Sequence, residues 1–89
     1  MSATLTGLKQ FLRLTHNEDD ALLTALLSGA EDDLLQFLAI SDLPDSELVD
    51  AAHYMLVRGW YDAETPDDAD KWQEIAHRIV WPYREGLGV

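Results

Sequence analysis

Between Glu18 and Ala39 the chain places Leu22, Leu23, Leu26, Leu27, Ala30, Leu34, Phe37 and Leu38. Wound at about 100° per residue, they fall within one arc of about 160°. A pattern of that length and period suits an α-helix with a broad apolar face, because a strand would alternate every second residue. Asn17 stands before it as an N-cap, and Glu18, Asp19 and Asp20 put negative charge at the positive end of the helix dipole. The second helix is therefore expected from Glu18 to about Ala39, as the long element of the fold. Glu31, Asp32 and Gln36 lie off the arc. Leu35 also lies off it, on the polar side, and is a candidate partner contact.

Three more helices follow from the same reasoning. Thr4 can cap a first helix from Leu5 to Leu14, with Leu5, Leu8, Phe11 and Leu12 at helical spacing. Pro44, Asp45, Ser46 and Glu47 read as the start of a third helix that reaches Trp60 or Tyr61. One face of it holds Leu48, Val49, Ala52, Met55, Leu56 and Trp60. The opposite face holds Tyr54, Val57 and Tyr61 beside Asp50 and Arg58. A helix apolar on two sides is either central in its domain or part of an interface. Asp62 to Asp70 reads as a polar loop, and a fourth helix runs from about Ala69 to Trp81, stopped by Pro82. Its inner face is Trp72, Ile75, Ala76, Ile79 and Val80. Glu85 to Val89 reads as a flexible tail. No strand-like alternation and no repeat occurs. The expected fold is all-α: a four-helix domain over residues 1–84 with a tail over 85–89.

Eighty-nine residues make one domain that buries only about 60–65% of its unfolded surface. Such a domain needs a staple, a metal or a partner. With no cysteine, disulfides and thiolate zinc sites are excluded, so oligomerisation is the expected support. Met1 to Gly7 lacks the basic start and apolar run of a signal peptide, and no stretch is long enough to span a membrane.

Seventeen acids against six Lys and Arg give a net charge of −11. A field of that sign repels phosphate backbones, so duplex binding is not expected. Solubility, a basic partner, or a surface that stays near DNA without adhering remain. His16, His53 and His77 share no helical turn, and the acidic clusters Glu18–Asp20 and Glu31–Asp33 lack the ligand alternation and glycine of a calcium loop. The first reads as helix-end charge, the second as a solvated face. Asp45-Ser46-Glu47-Leu48 differs from the Asp-Ser-Leu of acyl carrier proteins, because Glu47 interrupts it, and reads as a helix cap. No nucleophile, base and orienting group assemble, so no catalytic, cofactor or metal residue is expected. Trp60, Tyr61, Trp72, Trp81 and Tyr83 crowd the second half, where they either fill the core or anchor contacts.

The order of these features carries a resemblance. Leu8-Lys9-Gln10-Phe11-Leu12-Arg13-Leu14 is followed by a short polar break and Glu18-Asp19-Asp20-Ala21-Leu22-Leu23. A long helix with Ala30-Glu31-Asp32-Asp33 comes next, then Ala51-Ala52 and Leu56-Val57-Arg58-Gly59-Trp60-Tyr61-Asp62, and the last helix ends on Trp81-Pro82-Tyr83-Arg84. From about Leu8 to Arg84 the chain resembles the head–tail connector (adaptor) family of tailed bacteriophages. It departs from the family pattern at Gly29, where a helix former or small residue is usual, and in its short, acidic 62–70 segment.

The resemblance implies a non-enzymatic virion protein at the head–tail junction, assembled in the host cytoplasm without cofactor. It further implies a homo-oligomeric ring beneath the portal, dodecameric if it matches a portal of roughly twelve-fold symmetry. The ring would extend the DNA channel and receive a neck or tail-completion protein, and its acid excess would let DNA pass without specific binding. Candidate subunit or partner contacts are Leu35, Tyr54, Val57, Tyr61, Tyr83 and Arg84. On this reading Tyr54→Asp and Leu35→Asp leave a folded monomer that assembles poorly. The rival reading is a small acidic DNA mimic or inhibitor that occupies a basic protein cleft.

Overall fold

The computed structural model describes residues 3–83. They form α1 (Leu5–Leu12), α2 (Asp20–Leu38), α3 (Glu47–Asp62) and α4 (Pro66–Val80), closed by a short 3-10 turn, Trp81–Tyr83. No strand occurs among the described residues. The all-α, four-helix architecture with α2 as its longest helix is therefore as expected. The tail expected over 85–89 lies outside the described residues.

Helix ends differ from the expectation for local reasons. α1 stops at Leu12 because Arg13 turns into the left-handed region at φ 60°. There the Arg13 N–H donates to the Gln10 carbonyl at 3.2 Å, and the Leu14 N–H donates to the Lys9 carbonyl at 2.9 Å. α2 begins at Asp20, two residues late, because Asn17 does not cap it. The Asn17 Oδ1 instead accepts from the Lys9 ammonium at 2.5 Å, and Lys9 also pairs with Asp20 at 2.8 Å. α4 begins at Pro66, inside the segment expected to be loop. Thr65 caps it, and Pro66 occupies the first turn, where the missing N–H costs nothing. Asp67 and Asp68 thus lie in the first turn of a helix.

α2 ends as α1 does, with a left-handed residue, Ala39 at φ 57°. Ala pays for that conformation through its Cβ, whereas Gly does not. Ala39→Gly is expected to stabilise the fold by about 0.5–1 kcal/mol; urea unfolding midpoints would show it.

The core is one cluster. Leu8 comes from α1, Leu23, Leu27, Ala30, Leu34 and Leu38 from α2, Val49, Ala52, Leu56 and Val57 from α3, and Ala76 and Val80 from α4. α3 packs against all three other helices. Its two apolar sides are therefore explained by a central position. α3 and α4 approach closely at Gly59, where an added Cβ would lie 2.5 Å from Trp72 Cβ on α4. α3 and α4 meet almost backbone to backbone there.

One polar side chain sits in this core. His53 has no exposed surface, and its Nε2 lies 2.7 Å from the Leu27 carbonyl of α2. The carbonyl can only accept, so Nε2 carries the proton and Nδ1 is an acceptor. Nδ1 has no hydrogen-bond partner among the described residues. Burial pushes the His53 pKa below its ordinary 6.5, outweighing the opposing pull of the Leu27 carbonyl, Glu31 and Asp50. The folded state thus favours neutral His53, and the unfolded chain binds the proton first as pH falls. This contribution to stability is intact above pH 6.5 and is lost as pH falls through the lower, folded pKa. Urea unfolding at about pH 7.5 and about pH 5.5 should show lower stability at the acid value, with a smaller difference in His53→Met.

Candidate functional site

The sequence assembles no nucleophile, base and orienting group, so the candidate site is sought on the surface this fold offers to other molecules. Of the six expected contact residues, Arg84 lies outside the described residues. Val57 has no exposed surface at all, so its side chain is core and has nothing to offer a neighbour. The expectation fails there because α3 is covered on both of its apolar sides.

Tyr54 is half-buried against α1. Its hydroxyl accepts from the Thr4 N–H at 3.2 Å, its ring lies 5.9 Å from Phe11, and its phenol tip faces Gly7 so closely that no Cβ would fit there. Gly7, which weakens α1 as a helix former, is what lets Tyr54 in. Tyr61 is also half-buried and donates its hydroxyl to Asp19 at 2.5 Å, tying the end of α3 to the start of α2. That bond to the carboxylate raises the Tyr61 pKa above its ordinary 10.0, because it would be lost on ionisation. Leu35 is half-buried and packs on the core cluster. Each of these three keeps an exposed edge, but each also has a role within the chain.

Tyr83 is 36% exposed, and its hydroxyl lies 3.1 Å from the Ser46 hydroxyl, which also caps α3 by accepting from the Leu48 N–H at 3.2 Å. Tyr83 lines an open groove with Ala39, Ile40, Ser41, Asp42 and Pro44 at the α2–α3 turn. Two exposed residues on this half of the molecule were not among the expected contacts. Leu48 is 59% exposed, although its helical position assigned it to the inner face of α3. It stands in the first turn of α3. Trp81 is 41% exposed, with its ring 5.7 Å from Phe37. Leu22, in the first turn of α2, is 51% exposed despite belonging to the apolar arc. A helical wheel does not show how far each neighbouring helix extends, so first-turn residues are where it misassigns burial.

The acid clusters divide in two. Asp33 is not a solvated acid: its carboxylate accepts from Gln73 at 2.9 Å and lies 2.6 Å from His77 Nε2, while the His77 ring stacks on Phe37 at 3.9 Å. Asp33 is thus the polar clasp between α2 and α4. Asp19 and Asp20 are likewise engaged, by Tyr61 and Lys9. The segment 62–70 is different. Asp62, Glu64, Asp67, Asp68 and Asp70 are all exposed, and of these Asp62 pairs loosely with Arg58 at 3.8 Å. Five exposed acids are thus gathered on one segment, two of them, Asp67 and Asp68, in the first turn of α4.

Among the described residues, no group of three His, Cys, Asp or Glu side chains is placed to hold a metal ion, and no helix is long and apolar enough to cross a membrane. Comparison with known protein families gives a match. A family model described as the phage gp6-like head-tail connector protein covers residues 2–76. No curated protein and no solved structure matches the chain.

Proposed function

This chain belongs to the phage gp6-like head–tail connector family, and from that premise we propose that copies of it form a ring between the portal and the tail, around the path of the DNA. Family membership makes it a structural virion protein of the head–tail junction. The single observation that carries the reading is the extent of the match, which takes in α1, α2, α3 and most of α4. The finer statements are a ring beneath the portal, a copy number that follows the portal's symmetry, and a tail-side neck protein as second partner.

Charge supports the ring as a passage. A collar built from copies each carrying −11 surrounds its axis with negative potential. If exposed acids such as those of segment 62–70 face the lumen, DNA slides through without phosphate contacts, because none of them offers a counter-charge. The partner contacts in this account are the Tyr83 groove with the exposed Leu48 and Trp81, together with the exposed edges of Leu35, Tyr54 and Tyr61. Arg84 follows directly on that groove in sequence.

Native mass spectrometry of the chain with and without its portal protein tests the proposal. A ring of chains added to the portal is expected. A chain that ignores the portal but is captured by a basic DNA-binding enzyme, in competition with DNA, would replace this reading with that of a DNA mimic.

A further inference from the structure

The chain carries six Lys and Arg, and of the five described ones two are hydrogen-bonded to carboxylates of the chain. Lys9 is held by Asp20 and Asn17, and Arg78 by Glu74 at 3.0 Å. Arg13 and Arg58 are the exception in placement: both line one polar cleft, with Phe11, Leu12 and Asp62, between the end of α1 and the end of α3. The Arg58 guanidinium lies 5.1 Å from the Trp72 ring centre and is fixed in direction by it. Its only carboxylate neighbour among the described residues, Asp62, stands at 3.8 Å, too far for a direct hydrogen bond. Arg13 is exposed, and no described carboxylate pairs with it.

The backbone at Arg13 adds an independent observation. Its φ of 60° is a conformation in which glycine is at ease and a residue with a Cβ is not. An arginine there, like Ala39 at the end of α2, is kept at some cost to the fold, so glycine can replace it without strain.

We infer that the Arg13–Arg58 cleft receives carboxylates of the acidic segment 64–70 of a second copy of this chain. This rests on the ring reading. Copies of a −11 chain repel one another when packed side by side, so a ring needs some opposite charge at its seams. The cleft is where two incompletely neutralised arginines face one opening. Segment 64–70 supplies the matching charge: Glu64, Asp67, Asp68 and Asp70 are exposed, and Asp67 and Asp68 are fixed in the first turn of α4. Planar guanidinium forks suit carboxylates, and a head-to-tail contact between two different patches generates a ring when its rotation closes.

The test uses full-length chain added to portal, with ring completion followed by native mass spectrometry. Arg13→Gly should keep or raise the melting temperature, since glycine suits the left-handed turn, yet raise the concentration needed for ring completion about tenfold. Arg58→Gln should raise that concentration by a similar factor. A copy carrying Arg13→Glu and Arg58→Glu should not close a ring alone, but should do so when mixed with a copy carrying Asp67→Lys and Asp68→Lys. Wild-type completion in Arg13→Gly and Arg58→Gln overturns the inference while the ring stands. Failure of the mixture to recover also overturns it. Wild-type chain that forms no ring on the portal overturns the ring reading itself.

Discussion

Gly59→Val is expected to destabilise the domain by about 3 kcal/mol and to lower its melting temperature by about 12–20 °C. The expectation comes from the contact between α3 and α4. A Cβ at residue 59 would sit 2.5 Å from Trp72 Cβ and 3.1 Å from Trp72 Cγ, and neither atom is the far end of a flexible chain. Relief requires α4 to move away from α3, the largest helix–helix contact in the fold. Replacing Gly by a better helix former returns less than about 1 kcal/mol, so the clash dominates. Gly29 provides the contrast. A Cβ there meets only Trp60 Cζ3, at an ordinary 3.6 Å. Gly29→Ala should therefore stabilise by up to about 1 kcal/mol. Thermal unfolding followed by circular dichroism separates the two glycines by the sign of the change.

Tyr54→Asp is expected to cost about 3 kcal/mol, by loosening α1 from the rest of the domain. The sequence pattern had suggested the opposite, a folded monomer with a damaged interface. In the structure the Tyr54 ring packs beside Phe11, and its hydroxyl accepts the N–H of Thr4, the residue that caps α1. An aspartate is too short for that bond and leaves a charge against the Phe11 ring. α1 otherwise packs lightly, against α2 and α3. Hydrogen exchange should speed up over α1 first, while α3 and α4 keep their protection. Leu35→Asp, at a half-buried site on the outer side of α2, should be milder than Tyr54→Asp. If Tyr54→Asp left α1 exchange and thermal stability unchanged, Tyr54 would revert to a purely external contact.

These two expectations show which parts of the fold were legible in the sequence. The α2 arc was, because eight apolar positions spread over about five turns outweigh any single exception. The caps at Thr4 and Ser46 were too, because a hydroxyl before an apolar run has one obvious use. The start of α4 was not. Pro66 followed by acids reads equally as loop or as a first helical turn, and only the Thr65 cap decides between them. The role of Gly59 was hidden because close approach depends on a residue thirteen positions away, on another helix. Asp33 was hidden for the same reason. Its acidic neighbours suggested a solvated face, and only the packing of α4 brings His77 and Gln73 to it.

The contact surface was legible only in part. The aromatics of the second half do divide between core and surface, with Trp81 and Tyr83 outside. Tyr54, Val57 and Tyr61 share a stripe for a reason internal to the chain: α1 and the start of α2 lie over it. The arginine cleft left no periodic signal, since Arg13 and Arg58 are far apart in sequence and meet where two helices end. The acid excess, by contrast, was visible from composition, and the fold gathers four exposed acids of it, Glu64, Asp67, Asp68 and Asp70, on one short segment.

The most direct measurement of the central claim is electron microscopy of phage particles assembled without this chain. If it joins head to tail, heads should form beside finished but unattached tails, and supplying the chain should join the two. Normally tailed, infectious particles in its absence would contradict the account.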